Sequence, residues 1–415
     1  MRLPKLLPWQ RTLWAAMFVQ ILSLMAFQAG YILIPYYIQD LGITDLNDVA
    51  RWTGAYQSVG SVSFALFTPI WGALGDRFGR KPNLVRATIG TAVMMAVTAF
   101  VQTPTQLLIV RFLQGIFTGT PSASTVLVAA SVPKKQIAFA LGMLQTAFFV
   151  GISVGPMMGG WIGDAVGYKE TFLISSAVVV VAVLMAIFGT VEPERDAEEL
   201  AAAQKGSRNP LAGFGEIFHN PVLAGLILVN LMLSLTFSVI SPAMPILIQQ
   251  IVKAGVQPAS VAGTVTGVGA ITAAIAAVTV GKLSDRLGHR RTTLFGMIGT
   301  ALFYVPMGLA GTPLVLGTFS ALQGLFRGGI GPSLSAMLVD SVPKDRTGVA
   351  LGLNSSAASA GFGLGPMIGA AVVAAVNTRA PFFVAAGMFG VVCVVASIAG
   401  RRAEQAALSA EAAEA

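Results

Sequence analysis

Gly72-Ala73-Leu74-Gly75-Asp76-Arg77-Phe78-Gly79-Arg80-Lys81 returns 209 residues later as Gly281-Lys282-Leu283-Ser284-Asp285-Arg286-Leu287-Gly288-His289-Arg290. Working outward, Leu113-Gln114-Gly115 returns as Leu322-Gln323-Gly324 at the same offset. Ser131-Val132-Pro133-Lys134 returns as Ser341-Val342-Pro343-Lys344, and Gly155-Pro156-Met157 as Gly365-Pro366-Met367, each 210 residues on. Four matches in one order at a nearly constant offset make the chain two homologous halves.

The solvent of those halves follows from composition. Of 415 residues, 55% are hydrophobic and 11% charged, with a mean hydropathy of +0.76. A soluble domain carries roughly 25% charged residues; at less than half that density it would expose large apolar patches. Disorder needs the opposite composition. The net charge of +8 is dispersed in short clusters, which argues against nucleic-acid binding. Apolar segments run over 13–38, 54–74, 84–102, 106–128, 137–162, 170–191, 222–248, 260–281, 293–311, 314–339, 347–376 and 381–399. Each is near the roughly 20 residues that cross a bilayer as helix. The sequence therefore predicts an all-α integral membrane protein of twelve transmembrane helices in two pseudo-symmetric six-helix bundles. With six spans per half the copies share one orientation, so the repeat is parallel about the membrane normal.

Placing the N-terminus inside puts 20 of the 26 Lys and Arg residues on one face. Arg51, Lys169, Lys253 and Arg379 fall on the other, and Arg111 and Arg327 within spans. Basic residues collect on the cytoplasmic side, so both termini are expected there. The expected organisation is a bundle over 1–191, a cytoplasmic linker over 192–220, a second bundle over 221–400 and a cytoplasmic tail over 401–415. The first helix is expected to be retained, since the apolar run behind Met1-Arg2 is too long for a signal core. Cys393, the one cysteine, sits in an apolar run and reads as a small core hydrophobe.

The decapeptide resembles the loop signature G-x-L-[AG]-D-R-x-G-R-[KR] of the major facilitator superfamily, between its second and third helices. Arg111, Gln114, Gly115 and Gly119 resemble the family's fourth-helix motif. Gly151, Gly155, Pro156, Gly159 and Gly160 match the fifth-helix pattern G-x-x-x-G-P-x-x-G-G, which the family associates with proton-driven antiporters. Ile34-Pro35-Tyr36-Tyr37 and Asp40 at the end of the first span resemble the multidrug-exporter branch of bacterial inner membranes. The resemblance covers essentially the whole chain.

It implies a conformational latch. Gly72 and Gly79 allow close packing and a tight turn, and Asp76 is expected at the positive N-terminal end of a helix near residue 347. Asp285 is its counterpart, with Arg77, Arg80 and Arg286 in the same loops. The acidic partner usual at the end of helix four is replaced by Ala130, whereas its copy is Asp340. An Arg286–Asp340 pair is therefore expected, with Arg77 lacking its usual partner. Gly151 to Gly160 and Gly361 to Gly369 place small residues on one helix face, expected to let helices five and eight, or eleven and two, slide together. Pro156 and Pro366 bend those helices.

An ionisable residue inside a membrane is costly and functional by default. None of the 18 acidic residues is centrally placed in a span. Arg111 is expected to couple to helix one, where Tyr31, Tyr36 or Asp40 lie in reach, and Arg327 to face substrate near the midplane. His219 and His289 read as cytoplasmic and solvated. In this fold the cavity lies between the halves, with Gln28, Tyr31, Gln114, Phe117, Asn230, Phe237, Gln323, Phe326 and Arg327 as candidate lining. The expected activity is export of small amphipathic, drug-like compounds by alternating access, coupled to proton antiport. The alternative is transport of a specific organic anion bound by the arginines, in either direction. No enzyme activity, cofactor, metal or nucleic acid is expected; the partners are the solute, protons and membrane lipid, and the protein a monomer.

Overall fold

The computed structural model describes residues 7–193, 221–342 and 347–414, with side chains omitted at 138, 281–283, 285, 286, 347–349 and 402–414. Among the described residues the regular elements are all helical. They are α1 (Pro8–Asp40), α2 (Leu46–Phe78), α3 (Arg80–Thr98), α4 (Pro104–Phe117), α5 (Thr120–Ser131), α6 (Ile137–Val166) and α7 (Tyr168–Gly189). They continue as α8 (Pro221–Val239), α9 (Ala243–Ile251), α10 (Pro258–Leu287), α11 (His289–Leu309), α12 (Pro313–Arg327), α13 (Ile330–Asp340), α14 (Thr347–Ala375) and α15 (Ala380–Glu414).

Among the described residues nine spans are long and apolar enough to cross a membrane, α8 with α9 counting as one. α3, which carries Arg80, Lys81 and Arg86, and the divided pairs α4–α5 and α12–α13 bring the described crossings to twelve. Large apolar side chains such as Phe188, Phe295, Leu302, Leu309 and Leu314 point outward. In hydrocarbon such a surface needs no burial, and only the backbone must satisfy itself, which helices do internally.

The chain divides into two compact units. One comprises Met1–Gly42, Val62–Ser207 and Gln257–Gly267; the other comprises Ile43–Ser61, Arg208–Val256 and Val268–Ala415. Within them the packing repeats. α1 packs on α6 and α7 as α8 packs on α14 and α15, and α3 packs on α7, α4 and α5 as α11 packs on α15, α12 and α13. Small residues bring the α1, α3, α5 and α7 backbones together around Val19, Leu84, Ala87, Ala123, Leu127, Ala182 and Ala186.

The motif glycines divide between two neighbours. A Cβ at Gly151 would stand 2.6 Å from Leu24 Cβ, one at Gly155 2.7 Å from the Met25 carbonyl oxygen, and one at Gly159 would collide with Ala29. That face of α6 therefore rests on α1, not on the eighth span. The eighth-span contact belongs to the adjacent stripe, where Gly160 touches the Ala259 carbonyl and Gly263 of α10 touches that of Pro156. The copy behaves alike: Gly361, Gly365 and Gly369 of α14 rest on α8, and Gly54 of α2 meets the Pro366 carbonyl. The motif thus serves two contacts: Gly151, Gly155 and Gly159 meet α1, while Gly160 and Pro156 meet the eighth span, as Pro366 of the eleventh meets Gly54 of the second; residues at i, i+4, i+8 line one face and their neighbours another.

Replacing Gly159 by leucine should destabilise the protein by about 1–3 kcal/mol through overpacking. Gly390, with open space at its Cβ position, should accept alanine with a gain of up to about 1 kcal/mol in helix propensity. Thermal unfolding of the two variants in one detergent checks both.

Candidate functional site

The fourth and tenth spans are not continuous. α4 stops at Phe117 and α5 starts at Thr120, across Gly119 with φ of +129°, a backbone conformation that favours glycine. α12 stops at Arg327, and Gly328–Gly329 separates it from α13. Breaking a helix frees carbonyls that hydrocarbon cannot solvate. In the first unit side chains answer them: Trp71 Nε1 donates to the Ile116 carbonyl at 2.7 Å and Arg86 Nη1 to that of Phe117 at 3.1 Å. The Arg86 guanidinium lies over the Trp71 ring at 3.7 Å, a cation–π contact that holds both donors in place. Neither residue stood out in the sequence; their signal was polarity on two helices that both face the fourth-span break.

About two turns before that break, Arg111 is buried, donating from Nη1 to Gln114 Oε1 at 2.8 Å. Its guanidinium lies 5.1 Å from the Phe27 ring centre and 5.7 Å from that of Tyr31. Of the expected helix-one partners Tyr31 is therefore at ring distance. Tyr36 instead stacks near Tyr168, and Asp40 ends α1 exposed. Gln28 sits half-buried against Gly155, Gln114 is buried, and the Phe117 ring is exposed.

The second unit holds a related cluster. Arg327 is exposed at the end of α12, its guanidinium 4.3 Å from the Phe237 ring centre. Phe237 packs edge-on against Phe389 at 5.2 Å, and Phe389 against Tyr304 at 5.8 Å. Buried Gln323 donates to the Tyr304 hydroxyl at 3.2 Å. Asn230 donates to the Asn354 carbonyl at 2.9 Å. Phe326 turns to α11, stacking on Phe295 and Phe303 beside Gly299.

The loop decapeptide turns at Gly79, with φ of +122°. Asp76 and Arg77 are exposed, and Arg77 covers the Phe78 ring. The first turn of α3 is capped from afar. Glu192 accepts from the Arg80 and Lys81 amides at 2.8 and 2.7 Å, and Lys81 Nζ donates to the Thr190 carbonyl at 2.8 Å. The sequence reading assigned Glu192 only to the linker. Behind the loop, Trp71, Gly75, Asn83, Arg86, Gly119 and Ser122 line a cleft of about 180 Å³, too small to enclose a drug-sized molecule.

The copied loop is built differently. Ser284 stands where the first copy has Gly75; its hydroxyl meets Ser333 Oγ and His289 Nδ1, each at 2.8 Å. Gly324 and Gly328 meet α10 at backbone distance. His289 is thus tied to a serine pair rather than only solvated. The side chains of Asp285 and Arg286, and residue His219, lie outside the described residues; Asp340 is exposed. Gly151-Ile152-Ser153-Val154-Gly155 has the spacing of a hydrolase nucleophile motif, but Ser153 is buried inside α6 rather than on a strand-to-helix turn.

Residues 16–252 and 226–414 match the Major Facilitator Superfamily. The chain belongs to that family and is a multi-pass membrane protein. Among its relatives are the multidrug resistance proteins MdtG of Rahnella sp. (strain Y9602), 28% identical over 92% of each chain, and of Escherichia coli (strain K12 / DH10B), 29% identical over 92% of each. Among solved structures, a point mutant of the nucleoside transporter NupG superposes with a TM-score of 0.76 at 14% identity over 93% of this chain and 99% of that one. The human organic anion transporter MFSD10 superposes with a TM-score of 0.68 at 19% identity over 94% and 100%. At those identities the likeness concerns the fold.

Glu192→Ala removes two charge-assisted bonds at the start of α3 and should cost about 1–2 kcal/mol. Chemical denaturation in detergent checks this, with Glu192→Gln expected to recover part of the loss.

Proposed function

We propose that the protein exports small amphipathic, drug-like compounds across a bacterial inner membrane by alternating access, driven by proton antiport. The observation that carries the reading is the match along 92% of both chains to proteins named for multidrug resistance, together with the glycine–proline stripe of α6. The distribution of Lys and Arg supports a topology with both termini on the cytoplasmic face, and the proposed unit of function is the monomer in lipid. Sparse polar groups among aromatics suit amphipathic solutes. Arg111, Gln114 and Tyr31 supply them near the fourth-span break, and Arg327, Phe237 and Gln323 near the tenth.

One observation favours a second reading. Arg327 presents an exposed guanidinium at the mid-span break of α12, and positive potential there selects anions. Under this reading the solute is an organic anion or zwitterion, and the direction of movement is open to either sign.

Reconstitution in proteoliposomes with an imposed pH gradient, screening cationic, zwitterionic and anionic amphiphiles, decides between them. Export by antiport predicts accumulation that collapses when a protonophore removes the gradient; uptake indifferent to the gradient for every compound moved refutes antiport. Arg327→Ala should lower anion transport about tenfold, the worth of one charged hydrogen bond, while leaving cations unchanged if cations are the true substrates.

A further inference from the structure

The fifth and eleventh spans share a repeat that the loop and glycine motifs do not absorb. Leu141-Gly142-Met143-Leu144-Gln145-Thr146-Ala147 of α6 returns 210 residues on as Leu351-Gly352-Leu353-Asn354-Ser355-Ser356-Ala357 of α14. In each copy one carbonyl is tied to the first helix of its own half. Gln20 Nε2 of α1 donates to that of Leu144, and Asn230 Nδ2 of α8 to that of Asn354, each at 2.9 Å. The two donors are themselves 210 residues apart. Each clamp fixes the rotation of its helix. The next residue is carried about 100° round the axis, so Gln145 and Ser355 turn away from the clamped neighbour. Gly142 and Gly352 stand nine residues before Gly151 and Gly361. That is about two and a half turns, so they face away from the stripes that rest on α1 and α8. Both are exposed, with open space where a Cβ would stand.

The face so formed is polar inside an apolar span. Gln145, Thr146, Ser355 and Ser356 are all exposed. The hydroxyls alone are compatible with lipid, because each donates to the carbonyl four residues back. Thr146 bonds to Gly142 at 3.0 Å, Ser355 to Leu351 at 2.9 Å and Ser356 to Gly352 at 3.1 Å. The Gln145 carboxamide carries the argument. An exposed amide in hydrocarbon is costly, and polar side chains within a span face the bundle interior or a water-filled cavity. Water on this face removes the cost. With their protons committed to the helix, the serine and threonine oxygens offer lone pairs outward and no donor. Gln145 adds a carbonyl acceptor and an amide donor.

We propose that these faces are solute-contact surfaces, one in each half, and that they select amphipathic compounds carrying N–H or O–H donors. This rests on the proposed export of amphipathic compounds and adds contact residues on spans other than those of Arg111 and Arg327. A primary ammonium with an apolar tail can donate to Ser355, Ser356 or Gln145 Oε1. A quaternary ammonium of the same charge has no proton to give. Arg327 is a donor only, so it and these faces answer different groups of a solute.

Two thiol reporters leave the polar side chains in place. Gly142→Cys and Gly352→Cys, each with Cys393→Ala in the full chain in lipid nanodiscs, are reacted with a charged, water-soluble methanethiosulfonate. Both should react within about tenfold of the exposed loop position Thr44→Cys, and outward-pointing Leu302→Cys about a hundredfold more slowly, because apolar surroundings hold a thiol protonated. Octylammonium should protect both reporters, and octyltrimethylammonium at the same concentration should not. Adding Gln145→Leu to the first reporter, or Ser355→Ala with Ser356→Ala to the second, should raise the octylammonium concentration needed about tenfold, the worth of one charged hydrogen bond. Reporters as slow as Leu302→Cys put the faces in lipid and overturn the inference. Protection by neither amine, equal protection by both, or protection that survives the substitutions overturns it as well. Labelling needs no transport. If the wild type moves no amphiphile in proteoliposomes the export reading falls, while labelling and protection still decide the faces.

Discussion

A peptide carbonyl freed inside hydrocarbon has no water to accept from, and this protein is arranged around that constraint. Most of its backbone meets it by staying helical. Where the fourth span must break, the Ile116 and Phe117 carbonyls are taken by an indole and a guanidinium from α2 and α3, stacked on each other. The stacked pair answers both carbonyls at once, which makes Arg86 and Trp71 parts of the scaffold.

The same economy governs the glycines. Without a hydrophobic drive between helices in lipid, association depends on close packing, and α6 and α14 bring their backbones against α1 and α8 through three glycines each. The two halves repeat this contact faithfully while diverging in the loop decapeptides. Gly75 lines a cleft behind the first loop, whereas Ser284 in its place in the second is bonded to Ser333. A hydroxymethyl group for a hydrogen makes the copies chemically unequal there, in a different place from the Ala130-versus-Asp340 difference visible in the chain.

Charge does its structural work at helix ends rather than in mid-span. Glu192 caps α3 and Asp164 caps α10, each across more than 90 residues of sequence. Both are carboxylates on backbone amides with dipoles aligned to receive them. Such charge-assisted bonds are stronger than neutral ones, and each ties together helices far apart in the chain.

Periodicity and repetition in the chain determined the class: twelve apolar spans, two parallel halves, basic loops on one face, and the family through motifs of unusual specificity. These are local or strictly repeated signals, and lipid makes them stronger by forbidding irregular alternatives. Candidate residues such as Arg111 and Gln114 were legible because charge or amide polarity within an apolar span is itself informative. What only the tertiary structure decided is partnership. Whether Gly159 faces α1 or α10, whether Glu192 belongs to a linker or to α3, and whether Asp164 is a loop acid or the cap of a distant helix all depend on three-dimensional approach. A helix presents several faces of nearly equal composition, and the physical selection among them is made by backbone fit and hydrogen-bond geometry, which composition does not encode.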